Sequence, residues 1–107
     1  MEAAHMAERS KTTIEAILDA VCKEYELRRE ALVGARRLRR LARPRQIAYY
    51  LARHLTTQSF PTIAKCIGGR DHTTVIHGVR VIERLLTCDQ KICAQVARLL
   101  VTLQAAP

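Results

Sequence analysis

Apolar residues recur along this chain at intervals of three and four, the period of an α-helix rather than of a strand. Ile14, Ile17, Leu18, Val21 and Cys22 form one such stripe, and Tyr25 continues it. Thr12 or Thr13 stands where a hydroxyl caps the start of that helix. A short second helix is predicted over Arg28 to Val33, with Gly34 placed to end it. The next apolar stripe is Ile47, Ala48, Leu51, Ala52 and Leu55. Its helix is predicted to open at Ala42-Arg43-Pro44-Arg45-Gln46, with Pro44 in the first turn, and to stop at Thr56, Thr57 and Ser59. Between the two, Ala35 to Leu41 carries Arg36, Arg37, Arg39 and Arg40 with little apolar pattern, and reads as a loop or arm.

Beyond Ser59 the elements become shorter. Phe60 to Ile67 reads as a helix opening with Pro61 and packing through Ile63, Ala64 and Ile67; Gly68-Gly69 breaks it. Asp71 is placed to cap a longer helix over Thr73 to Leu86, with Val75, Ile76, Val79, Ile82 and Leu86 on its inner side. Thr87 or Asp89 caps a last helix that buries Ile92, Val96, Leu99, Leu100 and Leu103. A short helix, a glycine-containing turn and a longer helix, from Phe60 to Leu86, have the spacing of a helix-turn-helix. The expected fold is all-α, a helix-turn-helix within a compact bundle of about five to six helices. Residues 12–104 form the domain, and residues 1–11, which lack periodicity, form a flexible lead-in.

Composition agrees with packed helices. At 107 residues the chain supports one core, and its 49% apolar content is that of a globular protein. One Phe, three Tyr and no Trp leave that core to aliphatic side chains. Charge adds a function class: eighteen Lys and Arg oppose ten Asp and Glu, a net charge of +8, and arginines outnumber lysines fourteen to four. Guanidinium forks match phosphates and guanine edges better than ammonium groups do, so the bias points to nucleic acid.

The second helix of a helix-turn-helix presents its first turn to base edges in the major groove. Here that turn is Asp71-His72-Thr73-Thr74. Asp71 can cap backbone N–H groups or accept from a cytosine amine, His72 can donate to a base or a phosphate, and each threonine pairs a hydroxyl with a methyl for thymine. Arg70, just before the cap, can reach a phosphate, and His77 can face phosphate or support the turn. The arginine-rich loop is a second candidate reader, because the negative potential of a narrow minor groove attracts guanidinium groups. Arg36, Arg39 and Arg40 in that loop are expected on the DNA backbone. Arg43, Arg45 and Gln46, in the first turn of the following helix, would most simply anchor phosphates.

Other chemistry is not in evidence. There is no phosphate-binding GxxxxGK[ST] loop and no HExxH, and the chain reads as a non-enzyme without a cofactor. Cys22, Cys66, Cys88 and Cys93 lack CxxC spacing and read as packed thiols, Cys66 among Ile63, Ala64 and Ile67 included. His72 and His77, five residues apart, point in different directions and do not suit zinc. No secretory pattern and no apolar run of transmembrane length is present, so a cytoplasmic protein with no membrane partner is expected.

Ala42-Arg43-Pro44-Arg45-Gln46-Ile47-Ala48, followed at a distance by Gly68-Gly69-Arg70-Asp71-His72-Thr73-Thr74-Val75-Ile76-His77, resembles the C-terminal DNA-binding domain of the bacterial replication initiator DnaA. The resemblance runs from about Thr12 to Leu103. It implies recognition of a short asymmetric duplex, the DnaA box, with Asp71, His72, Thr73 and Thr74 in the major groove and Arg37 in the minor groove. It also implies contacts by Arg45 and Gln46 at the start of the long helix, and by Arg53, Phe60 and Pro61 nearer the phosphates. An initiator of that kind carries a nucleotide-binding domain ahead of this module, and these residues show no trace of one; the chain reads as an excised domain or a small stand-alone protein. The partner implied is double-stranded DNA, bound by a monomer, with a replication initiator or another protein as a further partner. Two other readings are a stand-alone transcription regulator with an altered site preference and a basic protein-interaction module.

Overall fold

The computed structural model describes residues 12–34 and 39–105. Within them the chain forms six helices and no strand: α1 Ile14–Tyr25, α2 Arg29–Val33, α3 Arg39–Leu55, α4 Phe60–Cys66, α5 His72–Leu85 and α6 Gln90–Ala105. The lead-in expected over residues 1–11, and Arg36 and Arg37, lie outside the described residues.

Most helix starts follow local capping chemistry. The Thr13 hydroxyl accepts from the Ala16 N–H, the Ser59 hydroxyl from Thr62, and the Asp71 carboxylate from Thr73. Asp89, not Thr87, caps α6, accepting from the N–H groups of Lys91 and Ile92 at 3.0 and 3.1 Å. α1 ends at Glu26 in the left-handed conformation, and α2 ends at an extended Gly34.

The start of α3 differs from expectation. Arg39, Arg40 and Leu41 are helical rather than part of a loop, and Pro44 sits inside the helix. Arginine is a good helix former, and Leu41 is buried, which anchors the extra turn to the core. Pro44 is the sixth residue of α3, so the Arg40 carbonyl receives no N–H from it. Pro44 is itself buried, inside the helix rather than in its expected first turn.

The core is aliphatic apart from Tyr49. It draws Ile17, Leu18 and Val21 from α1, Leu32 from α2, and Ile47, Ala48, Leu51 and Ala52 from α3. Ile63 and Ala64 of α4, Val75, Val79 and Ile82 of α5, and Ile92, Val96, Leu99 and Leu103 of α6 complete it. The principal contact is α3 against α5; α1 also packs on α3, and α6 packs on α1. At the α3–α5 crossing, Gly78 brings the α5 backbone against the Tyr49 ring. Polar links finish the outer seams: Arg29 bridges α2 to Glu15 and Asp19 of α1, Tyr25 Oη donates to Gln95 Oε1 at 2.7 Å, and Arg98 pairs with Glu24 at 2.7 Å. Because the α3–α5 and α1–α3 contacts fix α3 centrally, the first turns of α3 and α5 open onto one groove.

Two of the thiols depart from the packed reading, whereas Cys22 packs against the core as expected. Cys66 and Cys88 are exposed, and Cys22 and Cys93 are half-buried. Cys66 ends α4 on its outer side, and Cys88 lies in the turn after α5 rather than within a helix. None of the described helices is long and apolar enough to cross a membrane.

Candidate nucleic-acid interface

Residues Phe60 to Leu85 form the helix-turn-helix. α4 is capped by Ile67, and Gly68 turns the chain at φ +92°, where a side chain is strained. A Cβ at Gly68 would also stand 2.6 Å from the Val33 carbonyl oxygen, so glycine there lets the turn lie against the end of α2. The Arg70 N–H then donates to the Ala64 carbonyl at 3.2 Å, and Asp71 starts α5.

The four residues expected to read bases are all exposed. Asp71 Oδ1 accepts from the Thr73 N–H at 3.1 Å, so the carboxylate caps the helix while remaining at the surface. The Thr73 N–H, then its hydroxyl, and finally the nearby His72 hold the Asp71 carboxyl below its ordinary value. The side chains of His72, Thr73 and Thr74 therefore project from a rigidly started helix. The donors of the α5 N-terminus and its positive dipole end lie in the same place.

A groove of about 690 Å³ separates this turn from the first turns of α3. Arg39, Ala42, Gln46 and Tyr49 line one side, and Gly68, Gly69, Arg70, Asp71, Thr74 and His77 the other, with Arg45 at its base. The fold thus gathers Arg39, Arg45, Gln46, Arg70, Asp71, Thr74 and His77, seven of the sequence-predicted site residues, at one opening. Arg40 and Arg43 are exposed beside it on α3, and Arg43 Nη1 donates to Gln46 Oε1 at 2.7 Å. His72 and Thr73 stand outside the groove, on the exposed first turn of α5.

A separate basic point forms at the far end of α3. The exposed Arg53 guanidinium stacks over the Phe60 ring, 4.5 Å from its centroid. Pro61, in the first turn of α4, is exposed next to it in sequence.

Arg45 is the correction among the candidates. It was expected on the surface as a phosphate anchor, yet it is only 6% exposed. Its Nε donates to the Leu32 carbonyl at 2.8 Å, and its Nη2 to those of Ala31 at 3.0 Å and Gly34 at 2.8 Å. Burial first, then the neighbouring Arg70 cation, pulls its pKa down. Arg45 supports the site from beneath by satisfying carbonyls at the end of α2. The sequence carried a signal for this: Arg45 lies four residues after Leu41 and three before Ala48, on the buried stripe of α3. Tyr49, which lines the groove at 2% exposure, went unnoticed because a tyrosine beside Tyr50 marks no face by itself.

A helix-turn-helix with an exposed polar first turn, faced across a groove by the exposed Arg39, Arg40 and Arg43, defines a nucleic-acid-binding module. The bacterial DnaA protein helix-turn-helix family matches residues 14–82, and the chain belongs to that DNA-binding family. The chain is 47% identical over 95 residues to the chromosomal replication initiator protein DnaA of Cereibacter sphaeroides, which covers 89% of this chain and 21% of that protein. It is 48% identical over 99 residues to the same initiator of a Ruegeria species, covering 92% and 21%, and 42% identical over 100 residues to that of Neisseria gonorrhoeae, covering 92% and 19%. The chain spans about a fifth of the length of these relatives.

Proposed function

We propose that this chain binds double-stranded DNA sequence-specifically, at sites of the DnaA-box type, as the site-recognising part of replication initiation. The observation that carries the reading is the exposed, capped first turn of α5, where Asp71, His72, Thr73 and Thr74 stand together. Those side chains read base edges in the major groove. Arg37, in the basic segment ahead of α3, reads the adjacent minor groove, with Arg36 beside it on phosphate. Arg39, Arg40, Arg43, Arg53 and His77 contact the backbone, and Gln46 with Phe60 and Pro61 shape the surface around them. A monomer suffices for an asymmetric target. The bacterial chromosome then places the protein in the cytoplasm with the nucleoid, and residues 12–104 make up the binding domain.

A fluorescence-anisotropy titration of a DnaA-box duplex against a shuffled duplex of equal composition tests this reading. With about five to seven phosphates neutralised, the slope of log affinity against log salt is expected at roughly −5 to −6. Equal affinity for both duplexes contradicts sequence reading, and a nearly flat salt response contradicts the backbone contacts.

A further inference from the structure

The turn that precedes α5 is tied to a helix outside the helix-turn-helix. The Gly34 carbonyl oxygen, at the end of α2, accepts from two guanidinium groups, Arg45 Nη2 and Arg70 Nη2. Arg45 reaches it from within the core, and Arg70 from the turn, one residue before the Asp71 cap. Two cations on one neutral oxygen repel each other, so the arrangement persists only where other contacts fix it. Those contacts are present: the Arg45 bonds to Ala31 and Leu32, the Arg70 N–H bond to Ala64, and the approach of Gly68 to the Val33 carbonyl. Arg70 is half-buried and turned back into the fold, whereas Arg39, Arg40, Arg43 and Arg53 are exposed.

We propose that Arg70 is a positioning residue for sequence reading: through the Gly34 carbonyl it clamps the first turn of α5 to the end of α2, and it sets specificity without itself anchoring a phosphate. The proposal rests on the duplex-binding reading above. A hydrogen bond to a base edge fails within a few tenths of an ångström of misplacement, whereas attraction to the phosphate backbone falls off slowly. Fixing the turn before DNA arrives also removes its ordering from the cost of binding. Loss of the clamp therefore falls on discrimination, not on general affinity.

The test is Arg70→Met in the full chain, with two readouts. Without DNA, hydrogen exchange at the amides of residues 67–74 should quicken by about tenfold while α1 and α6 keep wild-type protection, which also certifies the fold. With DNA, affinity for the preferred duplex should fall by about tenfold while affinity for a shuffled duplex and the salt slope stay unchanged. A phosphate anchor gives the opposite pattern: equal losses on both duplexes, a salt slope shallower by about one, and unchanged exchange in the turn. That pattern, or unchanged exchange by itself, overturns the proposal. If the wild type already treats both duplexes alike, the duplex-specific reading fails, and the exchange readout still decides whether Arg70 clamps the turn.

Discussion

Gly78 of α5 lies so close to Tyr49 of α3 that a Cβ on the glycine would stand 2.7 Å from the tyrosine Cδ2. Gln46 Cγ would be 3.2 Å away on the same side. This crossing sets the spacing between the two helices whose first turns form the interface. Because Tyr49 is 2% exposed, its ring has no solvent to retreat into. Gly78→Ala gains about 1 kcal/mol of helix propensity but meets an overpacking cost of about 1–3 kcal/mol. A lower urea midpoint is expected, with weakened DNA binding because Gln46 and the α5 turn move apart. A variant as stable as wild type contradicts the tight crossing.

Arg45→Met should reduce stability before it affects any contact with DNA. Methionine fills a similar volume but leaves the carbonyls of Ala31, Leu32 and Gly34 without that donor. Gly34 keeps the Arg70 donor, but leaving the carbonyls of Ala31 and Leu32 without a side-chain donor is expected to cost about 2–4 kcal/mol, read from urea unfolding. Arg45→Lys should recover part of the loss, since an ammonium can reach one of the three oxygens. Wild-type stability with reduced DNA affinity would instead return Arg45 to the surface role expected from sequence.

The Asp71 cap predicts an acid-dependent stability. Its carboxyl is held below the ordinary 3.8, chiefly by the Thr73 N–H, so the folded state binds the proton less readily than the unfolded chain. The stabilisation is then complete above the ordinary value and is lost as pH falls through the lower folded one. Asparagine caps about as well but carries no charge to titrate. As pH falls from about 4.5 to about 2, the Tm of wild type should therefore fall more steeply than that of Asp71→Asn. Parallel curves would show that the Asp71 charge contributes nothing to the helix.

Thr73→Ala separates reading from folding. Alanine retains the N–H that Asp71 accepts from, and the side chain is exposed, so the fold should be unchanged by circular dichroism. Affinity for the preferred duplex should fall by roughly 1–2 kcal/mol while affinity for shuffled DNA holds. An equal loss on both duplexes would show that Thr73 does not touch a base.

Much of this geometry was legible in the chain. The three- and four-residue stripes located the inward faces of all the longer helices, and Asp71 after Gly68-Gly69 marked the start of α5, because caps and breakers act through local backbone chemistry. The start of α3 was not legible. Pro44 signals a first turn locally, but Leu41 buries against the core and carries the helix back to Arg39. The burial of Arg45 was equally hidden. Its partners are carbonyls at the end of a different helix, and sequence spacing does not show which carbonyls a guanidinium will meet. Cys66 illustrates the reverse error: its apolar neighbours face inward, yet it occupies the exposed side of the short α4. DnaA-family membership came from the paired motifs, whereas the Gly34 clamp required the packed structure.

The central claim is that this surface reads a DNA sequence, and selection of bound sites from a random duplex library tests it most directly. Successive rounds with the full chain should enrich one short, asymmetric motif of the DnaA-box type. With Thr73→Ala the selected motif should lose its preference at one position while bulk DNA retention persists. A retained pool that stays random in sequence, however tightly it binds, would contradict the account.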